Sequence, residues 1–287
     1  MKIAIDSYSY HRFFGDWYPE LQSDPGRRMS VWDFVDTANR LGVEGVSLES
    51  CYLGDLDEAD LLRLHDTLNA YGLKPVWAWG HPDGLGSGRK VEAVQDVVRN
   101  LAIARTVGAD VMRICAGGRR TRPASWSEHK EMLLPLLREL IGPAEEHGVV
   151  LAIENHIDLL ADELLELLTT IDSPWLGVCL DTANNLRMGE DPVEVAQKLA
   201  PWTRATHIKD VRAHQGDPST FAYWPSVPLG QGQVDLPTIV KLLAEQRYRG
   251  LLALEIDYLH PDYPDEDSAI GESLAFLGKL LTESGAQ

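Results

Sequence analysis

Short apolar runs alternate along the chain with longer stretches in which apolar positions recur at every third or fourth residue. The first pattern suits strands buried on both faces, and the second suits amphipathic helices. The predicted strands are 2–6, 45–49, 74–79, 110–115, 149–154, 176–181, 204–208 and 251–256. Helical patterns cover 31–41, 61–71, 91–107 and 132–147 and lead into Gly42, Gly72, Gly108 and Gly148, each suited to a left-handed helix cap. Eight strand and helix units, with no close repeat and no low-complexity linker, predict one domain over residues 1–287. The expected fold is α/β, a single (β/α)8 barrel with parallel strands.

Four of the runs end in a group that binds divalent metals: LAIE at Glu154, VCLD at Asp181, ATH at His207 and LALE at Glu255. A buried strand has no reason to stop in a carboxylate or an imidazole unless that group serves a site. Two residues earlier, on the same strand face, stand Ala152, Cys179, Ala205 and Ala253, all small. Small residues under a polar ring fit the layered interior of a closed barrel. Active sites of parallel barrels gather at the carboxyl ends of the strands, so the four side chains are expected to converge. Three carboxylates and one imidazole suit one divalent metal, Mn²⁺ first, with Mg²⁺, Co²⁺ or Zn²⁺ as alternatives. An octahedral ion held by four protein ligands keeps two positions for adjacent substrate oxygens.

The flanking residues extend the candidate site. His156, two beyond Glu154, is expected to bind a substrate hydroxyl, with a solvated histidine as the bland alternative. Lys209 and Arg212 follow His207 and are placed to hold an anionic or carbonyl oxygen. Glu49, His81 and the group Tyr8, Tyr10 and His11 follow strands two, three and one and should line the rim, whereas Trp77 and Trp79 suit the core. The segment 210–234, polar and rich in Gly and Pro, is long for a connection and therefore a candidate functional loop. Asp235 can cap the helix that follows it, with Pro237 in the first turn. Gly230 and Gly232 would let backbone N–H groups approach a substrate oxygen or phosphate, or else form a plain turn.

Composition narrows the classes. The chain has 287 residues, 44% of them hydrophobic, enough for a large core, and no apolar stretch approaches the roughly 20 residues that span a membrane. The opening MKIAIDSYSYH alternates like a strand and lacks the basic and long apolar regions of a secretion signal, so a cytoplasmic location is expected. Cys51, Cys115 and Cys179 are widely spaced with no CxxC pair, which favours reduced thiols over disulfides or structural zinc. A formal charge of -18 argues against nucleic acid as a partner. The basic group Arg119, Arg120 and Arg122 fits the mouth of a pocket or a solvated face.

Taken in order, IAIDSYSYH, GVEGVSLES, LAIENH, GVCLDTANN, ATHIKDVR, VPLGQGQVD and LLALEID resemble the xylose isomerase-like TIM barrels, the superfamily that also holds AP endonuclease family 2. The resemblance spans nearly the whole chain. It implies the same four metal ligands, Glu154, Asp181, His207 and Glu255. The ketose epimerases that the chain resembles use their two glutamates on opposite faces of the substrate, which implies Glu154 and Glu255 as the catalytic acid and base. The implied activity is that of a divalent-metal-dependent sugar isomerase or epimerase, working by deprotonation beside a carbonyl through an enediolate. The implied partner is a small sugar, sugar phosphate or cyclitol, with homo-oligomers common among barrels of this size.

Other branches of the resemblance set the alternatives. Related barrels dehydrate keto-inositols or, as one subunit of a hetero-oligomer, cleave 3-keto-C-glycosides. The aromatic opening YSYHRFFGDWYPEL would then serve as a lid, a partner surface or an aryl-binding wall. The DNA-repair endonucleases carry a histidine-rich trinuclear zinc cluster, but this chain has Asn184 where they have a histidine. A metal-binding barrel without catalysis is disfavoured by the intact set of two glutamates, aspartate and histidine.

Overall fold

A computed structural model describes residues 1–80 and 83–284. Eight parallel strands close into a barrel: β1 Lys2–Asp6, β2 Gly45–Glu49, β3 Lys74–Ala78, β4 Val111–Ile114, β5 Val150–Glu154, β6 Leu176–Asp181, β7 Thr203–Ile208 and, after two short strands in a loop, β10 Leu251–Leu254. The order around the barrel is β1, β10, β7, β6, β5, β4, β3, β2, so β1 closes against β10. The strands are buried along almost their whole length, as apolar runs covered by helices outside and side chains inside must be. The expected fold class, a single (β/α)8 barrel, is the observed one.

Helices α1 His11–Phe14, α2 Val31–Leu41, α3 Glu58–Tyr71, α4 Ala93–Thr106, α5 Trp126–His147, α6 Ala161–Ile171, α7 Pro192–Leu199, α8 Leu236–Glu245 and α9 Glu266–Ser284 accompany the strands. Helix α2 shows the local logic. Ser30 and Asp33 form a reciprocal capping box at its start, and Gly42, at φ 69°, turns the chain out of it. Its apolar stripe of Val31, Phe34, Val35 and Ala38 is buried against the barrel. Burying Phe34 contributes about 1.5–3 kcal/mol, and Ser30→Ala would remove a cap worth about 1 kcal/mol.

Several boundaries differ from the sequence expectation. Helix α5 starts at Trp126, because Ser125 caps it through the Glu128 N–H and so recruits a first turn whose polar residues hide the apolar stripe. Strand β10 stops at Leu254, so Glu255 is the first residue past the strand. The small residues proposed for the floor do lie together: Ala152, Cys179, Ala205 and Ala253 form one buried cluster inside the barrel with Ala4, Val76 and Leu251. Within the loop after β7, β8 Asp210–Val211 pairs antiparallel with β9 Ser226–Val227.

Candidate metal centre

Glu154 ends β5, Asp181 ends β6, His207 lies near the end of β7 and Glu255 follows β10, so the barrel order carries all four to one place. The register sets Asp181 beside His207 and His207 beside Ala253. All four are buried, and one ligand atom from each lies within 4.8 Å of the others. His207 Nδ1 sits between the glutamates, 3.5 Å from Oε1 of Glu154 and 3.1 Å from Oε2 of Glu255.

Surrounding groups fix these side chains. Asp181 Oδ1 accepts the backbone N–H groups of Ala183 and Asn184, each at 2.8 Å. Asn184 Nδ2 donates to Glu154 Oε1 at 2.9 Å, while Asn184 Oδ1 accepts from Arg187 at 2.8 Å. Lys209 Nζ lies 2.9 Å from Asp181 Oδ2 and 2.7 Å from Glu255 Oε2, and donates to Asp257 at 3.0 Å. Arg113 pairs with Glu49 and stands 3.5 Å from Glu154 Oε2. Cys115 Sγ faces that same oxygen at 3.4 Å.

The electrostatics divide the carboxylates. Burial would raise Glu154, but Arg113 and His207 outweigh it and hold this carboxyl well below its usual range. Glu255 is lowered in the same way, with His207 and Lys209 overcoming burial. Burial pushes Asp181 up to about 6 against Lys209, and pushes Glu49 up to about 8 against Arg113. Burial lowers His207, yet Cys179, Glu255 and Glu154 together raise it well above the ordinary histidine value.

The residues fit a single divalent ion. Asp181 Oδ2, His207 Nδ1 and Glu255 Oε2 are buried without a directed hydrogen bond, although Lys209 Nζ stands at ion-pair distance from the two oxygens. The carboxyl groups of Asp6, Glu49, Glu154, Asp181, Glu255 and Asp257 outnumber the cationic groups Arg113, Lys209 and protonated His207 in this buried region. An excess of buried anions around unpartnered donor atoms is the environment a dication relieves. Such a set could hold one metal.

A cavity of about 600 Å³ opens above the cluster. Tyr8, Tyr18, Tyr52 and Phe221 form an aromatic wall, with Tyr18 and Phe221 ring centroids 4.6 Å apart. His156 lines the cavity and has Nδ1 2.9 Å from the Gly117 carbonyl; a carbonyl only accepts, so Nδ1 carries the hydrogen and Nε2 is the acceptor. Glu49 and Lys209 also line it. Arg212 does not: its guanidinium contacts Asp262 and His260. His81 lies outside the described residues.

Other rim candidates fall elsewhere. Tyr10 and His11 are buried, with the Tyr10 hydroxyl donating to Asp267 and His11 held by the Tyr8 carbonyl and Gln22. Trp77 and Trp79 are core, their indole N–H groups donating to Asn100 and Asp96. In the basic trio, Arg120 lines the cavity, whereas Arg122 forks onto Glu163. The N–H groups of Gly230 and Gly232 do not face a substrate. Both donate to Asp210 Oδ2, at 3.0 and 2.8 Å, and a Cβ at Gly232 would collide with that carboxylate.

Sequence reasoning missed Asp6, Arg113, Cys115 and Asp257. Asp6 carries the same signal as the chosen four, a carboxylate closing an apolar run, and Arg113 is a charge inside one. Cys115 and Asp257 carry no such signal, since only folding brings them to the site.

A closed parallel barrel with a buried carboxylate and imidazole set at its carboxyl end defines a barrel protein with a candidate single-metal centre. Residues 35–280 match the sequence profile of the xylose isomerase-like TIM barrels, and the chain belongs to that family. It is 30% identical over 280 residues to the rhizopine catabolism protein MocC of Rhizobium meliloti, covering 90% of this chain and 82% of that one. It shares 27% identity over 191 residues with the 3-dehydroshikimate dehydratase of Bacillus anthracis, 64% of this chain and 67% of the relative. An L-ribulose 3-epimerase structure has the same fold, with a TM-score of 0.75 at 17% identity over 99% of this chain and 95% of that one. Relatives in sequence include epimerases and dehydratases.

Proposed function

We propose that the chain is a divalent-metal-dependent isomerase or epimerase of a sugar or cyclitol, with Glu154, Asp181, His207 and Glu255 as ligands and Glu154 and Glu255 as the acid and base. The observation that carries this reading is the placement of the two glutamates on either side of His207 Nδ1. The bound metal would act as a Lewis acid, holding adjacent substrate oxygens and stabilising the negative charge that builds on them. Glu154, kept ionised by Arg113, is ready to take the proton beside the carbonyl, and the C–H electron pair moves to the carbonyl oxygen. Glu255, ionised like Glu154, would pass to the opposite face or the neighbouring carbon a proton drawn from the Lys209 ammonium 2.7 Å away, which solvent replaces while Glu154 releases its own. His156 Nε2, Lys209 and Glu49 are substrate contacts in this reading, and Arg212, held by Asp262, takes no part. Mn²⁺ is the proposed metal, residues 1–287 the proposed domain and the cytoplasm the proposed location.

A second reading is a lyase of the same fold, in which loss of water or an aglycone replaces the returned proton. The aromatic wall favours it, because the stacked Tyr8 and Tyr52 rings and the tilted Tyr18 and Phe221 pair offer apolar faces to an aryl or apolar leaving group. Incubation of metal-reconstituted protein in D₂O with ketoses, keto-inositols and 3-keto-glycosides, followed by NMR, separates the two. Deuterium at an α-carbon with an isomeric product supports the isomerase, release of water or aglycone supports the lyase, and no exchange with any compound overturns both.

A further inference from the structure

Among the described residues, four Lys and Arg side chains line the cavity: Arg113, Arg120, Arg187 and Lys209. Arg113 and Lys209, at the floor, are matched by Glu49, Glu154, Asp181, Glu255 and Asp257. Arg120 and Arg187 are not. Arg187 spends one N–H on Asn184 Oδ1 and lies 5.3 Å from the Phe221 ring centroid, with no carboxylate paired to it among the described residues. Arg120 makes no hydrogen bond or ion pair with any described residue. The two belong to the loops after β4 and β6, and Arg119 Nη2 ties those loops together by donating to the Arg187 carbonyl at 2.5 Å. Arg120 is exposed and Arg187 half-buried, so both guanidinium groups are open to an incoming anion at the edge of the cavity.

We infer that the substrate is an anionic sugar or cyclitol whose phosphate or carboxylate group is bound by Arg120 and Arg187 at the cavity mouth while its carbonyl end enters the floor. The inference rests on the isomerase or lyase reading above for which end reacts. Guanidinium groups fork onto oxyanions and remain charged at any working pH. The carboxylates of the floor repel an anion and the mouth attracts it, so the field sets the direction in which the substrate enters. The reach is suitable, since one side chain, Asn184, bridges Arg187 and Glu154 with hydrogen bonds at both ends. A volume of about 600 Å³ accommodates a six-carbon skeleton with such a group. Asp16, the carboxylate also at the rim, accepts the Tyr52 hydroxyl at 2.8 Å and follows β1.

The test has two arms. Inorganic phosphate is titrated into the EDTA-treated full-length chain and followed by ³¹P NMR. We expect saturable binding that Arg120→Met and Arg187→Met each weaken about tenfold or more, and binding that is absent or unchanged in both variants overturns the inference. In the second arm, matched neutral, phosphorylated and carboxylated ketoses are compared by exchange in D₂O with the metal-loaded protein. The expected result is a KM at least tenfold lower for one anionic form, phosphate or carboxylate, with that preference lost in Arg120→Met. A neutral sugar handled as well as both anionic forms overturns it. If no compound exchanges, the proposed function fails, and the phosphate titration still decides the anion subsite.

Discussion

Nε2 of His207 lies 3.3 Å from Oδ2 of Asp6, reaching from β7 past β10 to the end of β1. A carboxylate at that point keeps a hydrogen on Nε2 and turns Nδ1 toward Glu154 and Glu255. Carboxylate partners of this kind orient a metal-binding imidazole and raise its basicity. Asp6→Asn preserves shape and removes the charge, so metal affinity should fall about 10–100-fold. Competition against a chelator of known affinity measures it, and equal affinities for variant and parent would refute the role.

Metal binding should also stabilise the fold, because it relieves the excess of buried carboxylates. Mn²⁺ added to EDTA-treated protein should raise the thermal midpoint until saturation, by an amount equivalent to about 4 kcal/mol at 1,000 times Kd. Asp181→Asn should lose most of that shift. A midpoint indifferent to Mn²⁺, Mg²⁺, Co²⁺ and Zn²⁺ would count against a metal centre.

The pH dependence of that binding has a definite sign. Without metal, His207 keeps its proton well above the ordinary histidine range, since the surrounding carboxylates overcome burial. Asp181 keeps its proton up to about 6 because of burial. A ligand must shed its proton before it binds, so affinity should rise with pH and continue to rise above neutrality. Calorimetry in buffers of different ionisation enthalpy should show proton release at pH 7. Proton uptake, or none, would contradict the assignment.

Glu154→Gln and Glu255→Gln should each lower kcat about 10²–10⁴-fold, the usual contribution of a positioned acid or base. Single-turnover measurements on metal-saturated variants separate this from metal loss. Activity at a double-digit percentage of the parent in either variant would remove that glutamate from proton transfer.

Behind the cavity, Asp158 and His129 are fully buried, with Asp158 Oδ2 3.7 Å from His129 Nε2. Burial pushes Asp158 up to about 6, against the pull of His156 and Ser87. The native state thus keeps a proton that the unfolded chain releases near pH 4, so stability falls as pH rises from about 4 to 6 and stays reduced above. Asp158→Asn removes that penalty. Its stability to denaturant should exceed the parent's by about 3 kcal/mol at pH 8 and by about half as much at pH 5. An equal difference at both values would show that burial does not raise Asp158, which would then be ionised at pH 5 in the native and unfolded states alike.

The barrel was legible in the sequence because its strands are buried on both faces and its helices on one, which leaves two distinct periods. The candidate ligands were legible for a related reason: Glu154, Asp181 and His207 close strands, and Glu255 follows one directly. Arg212 shows the limit. Its place after His207 suggested a site cation, but the chain turns at β8 and delivers the guanidinium to Asp262. Gly230 and Gly232 show another, since their N–H groups serve Asp210, some twenty residues earlier, and their need for small size comes from the Phe276 ring and a φ of 83° at Gly230 and from Asp210 at Gly232, not from a ligand. Asp257 entered the site through its pairing with Lys209 from another loop, which no local pattern encodes, whereas Arg113, a charge inside an apolar run, carried a signal that was overlooked.

Asp210 accepts backbone N–H groups from Val211, Gly230, Gly232 and Val234. One carboxylate thus fastens both ends of the excursion that carries Phe221 to the cavity. Between the knots only the stretch 212–224 is exposed or half-buried and open to exchange, because Ser226 is buried and its hydroxyl accepts the Asp257 N–H beside the site. A designer seeking a new specificity would graft here first, keeping Asp210, Gly230 and Gly232 as the clasp.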